Sequence, residues 1–255
     1  MRILGINAVF HDPAAALIVD GQVTAAAEEE RFSRRKHGKK AVPFSTWELP
    51  VAAAKWCLAE AGVNPSDLDA VGYSYDPALM AGQPDDLDGL DAQWEYLRTL
   101  YAQRAPGFLA TALPGLDPAV VRHVRHHVAH AASTALASPQ PDAAVLVVDG
   151  RGERTSMLSG VYRDHKLDVL ASQSLPHSLG LLYESLTEHL GFTRSSDEYK
   201  VMAMGSYGSP RFADYLRERV YACEDGGFRT EPIEWDALAP PRRPTPPDQM
   251  SALAW

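Results

Sequence analysis

Four of the chain's nine histidines, His123, His126, His127 and His130, crowd into the stretch RHVRHHVAHAA. On a helix, His126 and His130 project from one face, one turn apart. That is the spacing by which a helix offers two imidazoles to one metal ion. The glutamate of the zinc-protease version is missing, Val128 and Ala129 filling the gap. A helix whose histidines cap, hydrogen-bond or face solvent has the same spacing.

Two turns carry further chemistry. NAVFHDPAA places Asn7, His11 and Asp12 at the mouth of a strand pair, and DGRGE places Asp149, Gly150, Gly152 and Glu153 at the equivalent point of a second. Glycines let backbone N–H groups approach an anion, and an aspartate can hold a cation or polarise a water. Asp-Gly also simply closes turns, so the weight lies in finding both turns at equivalent strand ends. Lys200 is read in a Gly-containing loop with Gly205 and Gly208, as a surface lysine or one holding phosphate or carbamoyl oxygens. Arg35 and Lys36 lie in the run RFSRRKHGKK, either a solvated loop or an anion-binding one.

The elements that must position these residues recur. RILGIN and the two runs of AAALIVDGQVTAAA, joined at Asp20-Gly21, read as three strands. A helix is expected over 47 to 61 and a short strand over 69 to 76, followed by an acidic, helical insertion near 80 to 105. A helix is then expected from about 126 to 138. From Ala143 the order repeats: AAVLVVDG, two strands turning at 163 to 165, then helices in LGLLYESLTEHLG and RFADYLRERVYA. The expected class is α/β, with duplicated strand–strand–strand–helix units building the two lobes of an actin-like ATPase fold. Residues 1–142 are expected to form the first lobe and 143–223 to start the second, which is expected to be incomplete in this chain. Residues 224–255 make a Pro-rich tail with a truncated helix beginning near Asp248.

The motifs as a set resemble the N-terminal part of the carbamoyltransferases of the nodulation and antibiotic-tailoring type. They are MRILGIN…FHDPAAALIVDG, AAAEEERFSRRKHG, HHVAHAAS, VLVVDGRGE and SLGLLYESLTEHLGF…EYKVMAMGSYG, in order and covering residues 1 to 208 almost continuously. The resemblance implies an O-carbamoyltransferase using ATP and carbamoyl phosphate by way of a carbamoyl-adenylate, with a hydroxyl of a sugar or other natural product as acceptor. It implies that His126 and His130 ligate a divalent metal, Fe2+ or a similar ion, with Asp149 beside it. A further carboxylate ligand and the YrdC-like carbamoyl-activating domain would lie beyond residue 255, in a continuation or a C-terminal partner. His11 is the candidate base for the acceptor hydroxyl, since a histidine titrates near neutrality. The alternatives are a non-catalytic metal- and phosphate-binding half that needs a partner chain, and a tRNA threonylcarbamoyl transferase-like protein.

Composition narrows the rest. The formal charge of −9 argues against an extended nucleic-acid surface, and 45% hydrophobic with 22% charged residues is ordinary for a globular domain. Cys57 and Cys223 fit neither a disulfide framework nor a zinc cluster. With no signal-peptide pattern after Met1 and no membrane-length apolar run, a cytoplasmic location is expected.

Overall fold

The computed structural model describes residues 1–38, 48–80, 92–164 and 166–238. The first unit opens with β1 (Arg2–Asn7), β2 (Ala14–Val19) and β3 (Gln22–Glu28), then α1 (Glu30–Ser33), α2 (Val51–Glu60), β4 (Ala70–Tyr73), α3 (Ala92–Ala112), β5 (Val121–His123) and α4 (His126–Ala135). Its sheet has the order β3-β2-β1-β4-β5. The first three strands form an antiparallel meander, and β4 and β5 then add in parallel. Alternate residues of β1, β2 and β4 point inward (Leu4, Ile6, Ala15, Leu17, Val71, Tyr73), onto Ala53, Cys57 and Leu58 of α2 and Ala105 and Leu109 of α3.

The second unit repeats the plan with β6 (Ala143–Val148), β7 (Thr155–Arg163), β8 (Lys166–Ser174) and α5 (Leu179–His189). This duplication is the actin-like plan. Here the sheet is only β6-β7-β8, so among the described residues no strand takes the outer edge of β6. That edge corresponds to the side of β1 on which β4 pairs. α4 packs on the inner face of this sheet, Ala131 and Ala135 meeting Val145, Val147 and Leu158. There follow α6 (Glu198–Gly205), α7 (Ala213–Arg217), β9 (Val220–Ala222), β10 (Phe228–Thr230) and α8 (Trp235–Leu238).

Several elements differ from the sequence reading. The helix expected from 47 begins at Val51, after buried Pro50, because proline suits a helix start and biases the residue before it away from helix. Its first N–H groups are capped from a distance: the buried Glu29 carboxylate accepts from Ala52 and Ala53 N–H at 3.1 and 2.8 Å. The acidic EEE stretch is thus partly interior.

RFADYLRERVYA is not one helix. It is helical only to Arg217, and Val220–Ala222 then pairs with Phe228–Thr230 across an Asp225-Gly226 turn with Gly226 at φ 81°. That turn is a hairpin signal which the helical periodicity masked. Residues 224–238 are not a featureless tail either. β10 pairs with β9, and Trp235 stacks on His189 and donates to Ser185 Oγ at 3.2 Å. The helix expected near Asp248, the Pro-rich stretch from 240, the turn residue His165 and residues 81–91 of the acidic insertion lie outside the described residues; the rest of that insertion is the start of α3. Among the described residues no helix is long and apolar enough to cross a membrane.

Candidate functional site

The site forms where the starts of α4 and α5 meet the end of β6. His126 and His130 project from the first turns of α4, and Asp149 follows β6 directly. His126 Nε2 lies 3.1 Å from Asp149 Oδ2 and 3.1 Å from His130 Nε2, and His130 Nε2 is 3.6 Å from the same carboxylate oxygen. His126 is buried and His130 half-exposed, so the group opens toward solvent on the His130 side.

The protons decide what this cluster can do. His126 Nδ1 faces the Ser74 carbonyl at 3.1 Å, so Nδ1 carries the proton and the neutral ring presents a lone pair at Nε2. That lone pair points at a carboxylate oxygen and at another imidazole nitrogen. The convergence needs positive charge, supplied either by a second proton on His126 or by a cation held between the groups. Metal–ligand bonds of about 2.1 Å place adjacent ligand atoms about 3.0 to 3.4 Å apart in octahedral and tetrahedral sites. The two separations of 3.1 Å fit that shape and the third, 3.6 Å, lies just outside it, and the donor set suits a first-row divalent ion.

Burial pulls the Asp149 carboxyl upward, but the imidazoles of His126 and His127 outweigh it and hold the group well below the usual carboxylate range. The His130 imidazole is lowered, first by burial and then by the neighbouring His126, so it favours the neutral, ligating form.

Around this centre the chain is tied tightly. Asn7 Nδ2 donates to the carbonyls of His11 and Asp12, both at 2.9 Å, while Asn7 Oδ1 accepts from Ser74 Oγ at 2.9 Å. Asn7 therefore joins the first turn to the residue whose carbonyl orients His126. Asp12 sits at φ 49° and bridges two histidines, with Oδ2 2.7 Å from His11 Nδ1 and Oδ1 2.9 Å from His37 Nδ1. The hydrogen bond from His11 lowers its carboxyl most, against burial, with His37 adding to the effect. Glu153 faces inward: its Oε1 accepts from the backbone N–H groups of Asp76 and His126 at 2.8 and 2.9 Å. Gly152 lies against His126 and His127, where a Cβ would stand 3.3 Å from each. Gly150 N–H donates to Asp149 Oδ1 at 2.7 Å.

The cationic candidates fall elsewhere. Arg35 pairs with Glu48 at 3.6 Å. Lys200 is not in a glycine loop but in the first turn of α6, paired with Asp197 at 2.7 Å. Lys36 Nζ donates to Tyr199 OH at 3.3 Å, and both lysines lie over the Tyr199 ring. His123 points away, with Nε2 2.9 Å from the Ala102 carbonyl.

Several contributors escaped the sequence reading. Buried His127 has Nδ1 2.9 Å from Thr155 Oγ1 and Nε2 3.5 Å from Asp149 Oδ2. Ser178, the N-cap of α5, donates to the Gly150 carbonyl at 2.6 Å, and Gly180 packs so closely that a Cβ would come 2.5 Å from Gly150. Beneath the site, Phe10 stacks edge-on to His126 and lies under the guanidiniums of Arg98 and Arg151, both of which pair with buried Glu95. The Ser-x-Gly at a helix start was a legible signal; the Arg–Glu–Arg cluster, in which Arg151 joins the i, i+3 pair Glu95–Arg98 from 56 positions beyond Glu95, was not.

A family model described as Carbamoyltransferase N-terminus matches residues 2–80 and 94–237. The chain belongs to the carbamoyltransferase family. An uncharacterized protein from Synechocystis is 34% identical over 247 residues, covering 89% of this chain and 38% of its own length. The nodulation protein NolNO of Sinorhizobium fredii is 37% identical over 243 residues, covering 92% of this chain and 33% of its own. The chain thus spans about a third of the length of these relatives. Among solved structures, YeaZ from Pseudomonas aeruginosa overlaps with 69% of this chain and 67% of its own, at 16% identity and a TM-score of 0.38.

Proposed function

We propose that this chain is the metal- and adenylate-binding part of an O-carbamoyltransferase, acting on a carbamoyl group derived from carbamoyl phosphate and ATP. The observation that carries the reading is the convergence of three acceptor atoms, His126 Nε2, His130 Nε2 and Asp149 Oδ2. His126, His130 and Asp149 would hold a divalent ion, Fe2+ in this reading, which when bound supplies positive charge for a carbonyl or phosphate oxygen. Family membership supplies the carbamoyl group as substrate class.

His11 is the proposed base for the acceptor hydroxyl. Asp12 engages its Nδ1, which leaves Nε2 of this exposed ring as the proton acceptor. A positive charge on His11 also disfavours one on His130, which links the two histidines electrostatically. Lys36 and Lys200, gathered around Tyr199, are proposed to bind the anionic part of the substrate, with Arg35 held back by Glu48. The acceptor is proposed to be a hydroxyl-bearing small molecule, and the location cytoplasmic.

A second reading, a binding half that works only with a partner chain, is favoured by the span of about a third of its relatives. Metal analysis of the purified chain tests the centre: one equivalent of divalent ion, lost in His126→Ala, supports it, and metal-free protein that takes up none on titration sinks it. Transfer of labelled carbamoyl to a polyol acceptor, by the chain alone and with a family member's C-terminal region added, separates the two readings.

A further inference from the structure

The histidine read as the base does not stand alone on its turn. A histidine left to water can carry its proton on either ring nitrogen, and the His11 side chain is 54% exposed. Its tautomer is set by Asp12, whose Oδ2 lies 2.7 Å from His11 Nδ1. The Asp12 side chain is itself 40% exposed, so a carboxylate held by His11 alone would be free to swing into water. A second grip comes from the loop after α1, 25 positions along the chain: His37 Nδ1 lies 2.9 Å from the other oxygen, Oδ1. The His37 carbonyl also accepts from Asp12 N–H at 3.1 Å. An ionised carboxylate only accepts, so both rings present an N–H to it and both Nε2 atoms are left as lone pairs.

His37 is held in the shape this contact needs. Its φ is 58°, and that of Asp12 is 49°, so two left-handed residues face each other across the contact. Strained backbone of this kind persists only where the surroundings over-determine it, and it gathers at functional sites. Here Glu30 of α1 supplies part of the restraint, its Oε2 accepting from His37 N–H at 3.1 Å. Gly38 N–H closes the turn onto the Arg35 carbonyl at 3.1 Å. A loop that needed only to turn would be served by glycine or asparagine. At His37 the ring and the carbonyl of one residue both reach one aspartate. The neighbouring Lys36, proposed above to meet the anionic part of the substrate, is placed by the same clamp.

We propose that His37 is a positioning residue for carbamoyl transfer: it anchors one oxygen of Asp12 so that the other keeps the His11 proton on Nδ1 and leaves Nε2 free to accept. The proposal rests on reading His11 as the base, but its main test does not. Nitrogen-15 spectra of the histidine rings, taken on the 255-residue chain in alkaline buffer where imidazoles are neutral, report the tautomer of each ring. His11→Gln and His37→Asn assign the two signals. Both rings should be protonated at Nδ1 in the parent, and a bare Nδ1 on either overturns the proposal without any variant. His37→Gly keeps the left-handed backbone and removes the donor, so the His11 signal should become a mixture of tautomers. His37→Asn should restore the single one, because its amide N–H falls near the place of Nδ1 and asparagine tolerates the same φ. A His11 tautomer that His37→Gly leaves unchanged, or that His37→Asn fails to restore, overturns the clamp. In transfer assays with a family member's C-terminal region added, kcat should fall at least tenfold in His37→Gly and recover to within threefold in His37→Asn, with KM for the acceptor little changed. Transfer that survives His11→Gln overturns the base reading instead, and the tautomer spectra tell the two failures apart.

Discussion

The backbone carbonyl of Ser74 faces His126 Nδ1 at 3.1 Å, and this one contact fixes which nitrogen of His126 looks at Asp149. A main-chain acceptor cannot be lost by mutation of its own side chain, so the orientation is built into the end of β4. The chemistry of the centre follows from it.

Replacing either proposed ligand should remove the proposed metal centre. His126→Ala and His130→Ala are expected to abolish binding of one equivalent of Co2+, followed by its visible absorbance, whereas His123→Ala retains it. His127→Ala should weaken binding without abolishing it, since its ring lies 3.5 Å from Asp149 without joining the trio. Equal loss in all four variants would refute the assignment.

Asn7→Ala tests the layer behind the ligands. It removes the acceptor of Ser74 Oγ and the donor to the His11 and Asp12 carbonyls. Partners of metal ligands typically contribute about 10–100-fold in affinity, and a loss near the lower figure is expected for this indirect link. Unchanged Co2+ affinity would mean that the Ser74 carbonyl holds its place without Asn7.

Much of this was readable from the sequence, and what was not has a physical cause. The i, i+4 histidine pair and the Asp149 turn are local patterns visible in the residue spacing, and the family resemblance implies their link to a metal. The strand–strand–strand–helix repeat was legible because β1, β2, β6 and β7 are short apolar runs separated by turn residues. Lys200 reads as a loop residue beside the glycines at 205 and 208, yet its pairing with Asp197 sets it in the first turn of α6. Glu29 stands in an acidic run and Glu153 in a turn expected to face the site, yet both are buried acceptors of backbone N–H groups contributed by distant elements. No local pattern announces a cap delivered across 23 or 77 positions.

The charge cluster beneath Phe10 should be stiff and costly to break. Glu95→Gln leaves the Arg98 and Arg151 guanidiniums buried without their counter-charge. Removing one partner from a buried ion pair costs about 3–5 kcal/mol, which should appear as a fall in the thermal midpoint. A midpoint within two degrees of the parent would show that water reaches the cluster.

Gly180→Ala should strike the site from the side. The new Cβ would come 2.5 Å from the Gly150 backbone, so α5 must move off the Asp149 turn. Overpacking of this kind costs about 1–3 kcal/mol, and Co2+ affinity should fall along with stability. Loss of stability with intact affinity would show that Asp149 keeps its place without α5.

Metal affinity should depend on pH in one direction. The His130 imidazole is lowered from its usual value near 6.5, so it is unprotonated and competent above that value. Affinity should be flat from pH 8 down to about 6.5 and decline as acidity increases further, because protons then compete for the ring. A decline already under way between pH 8 and 7, measured by Co2+ titration, would contradict the lowered value.

Glu153 belongs to the second unit, while the two N–H groups it accepts, of Asp76 and His126, belong to the first. Pulling the units apart at this point would strand two donors in an interior that offers no water. One carboxylate oxygen thus ties the two units together at the edge of the site, and a separation of the units there has to break both bonds at once.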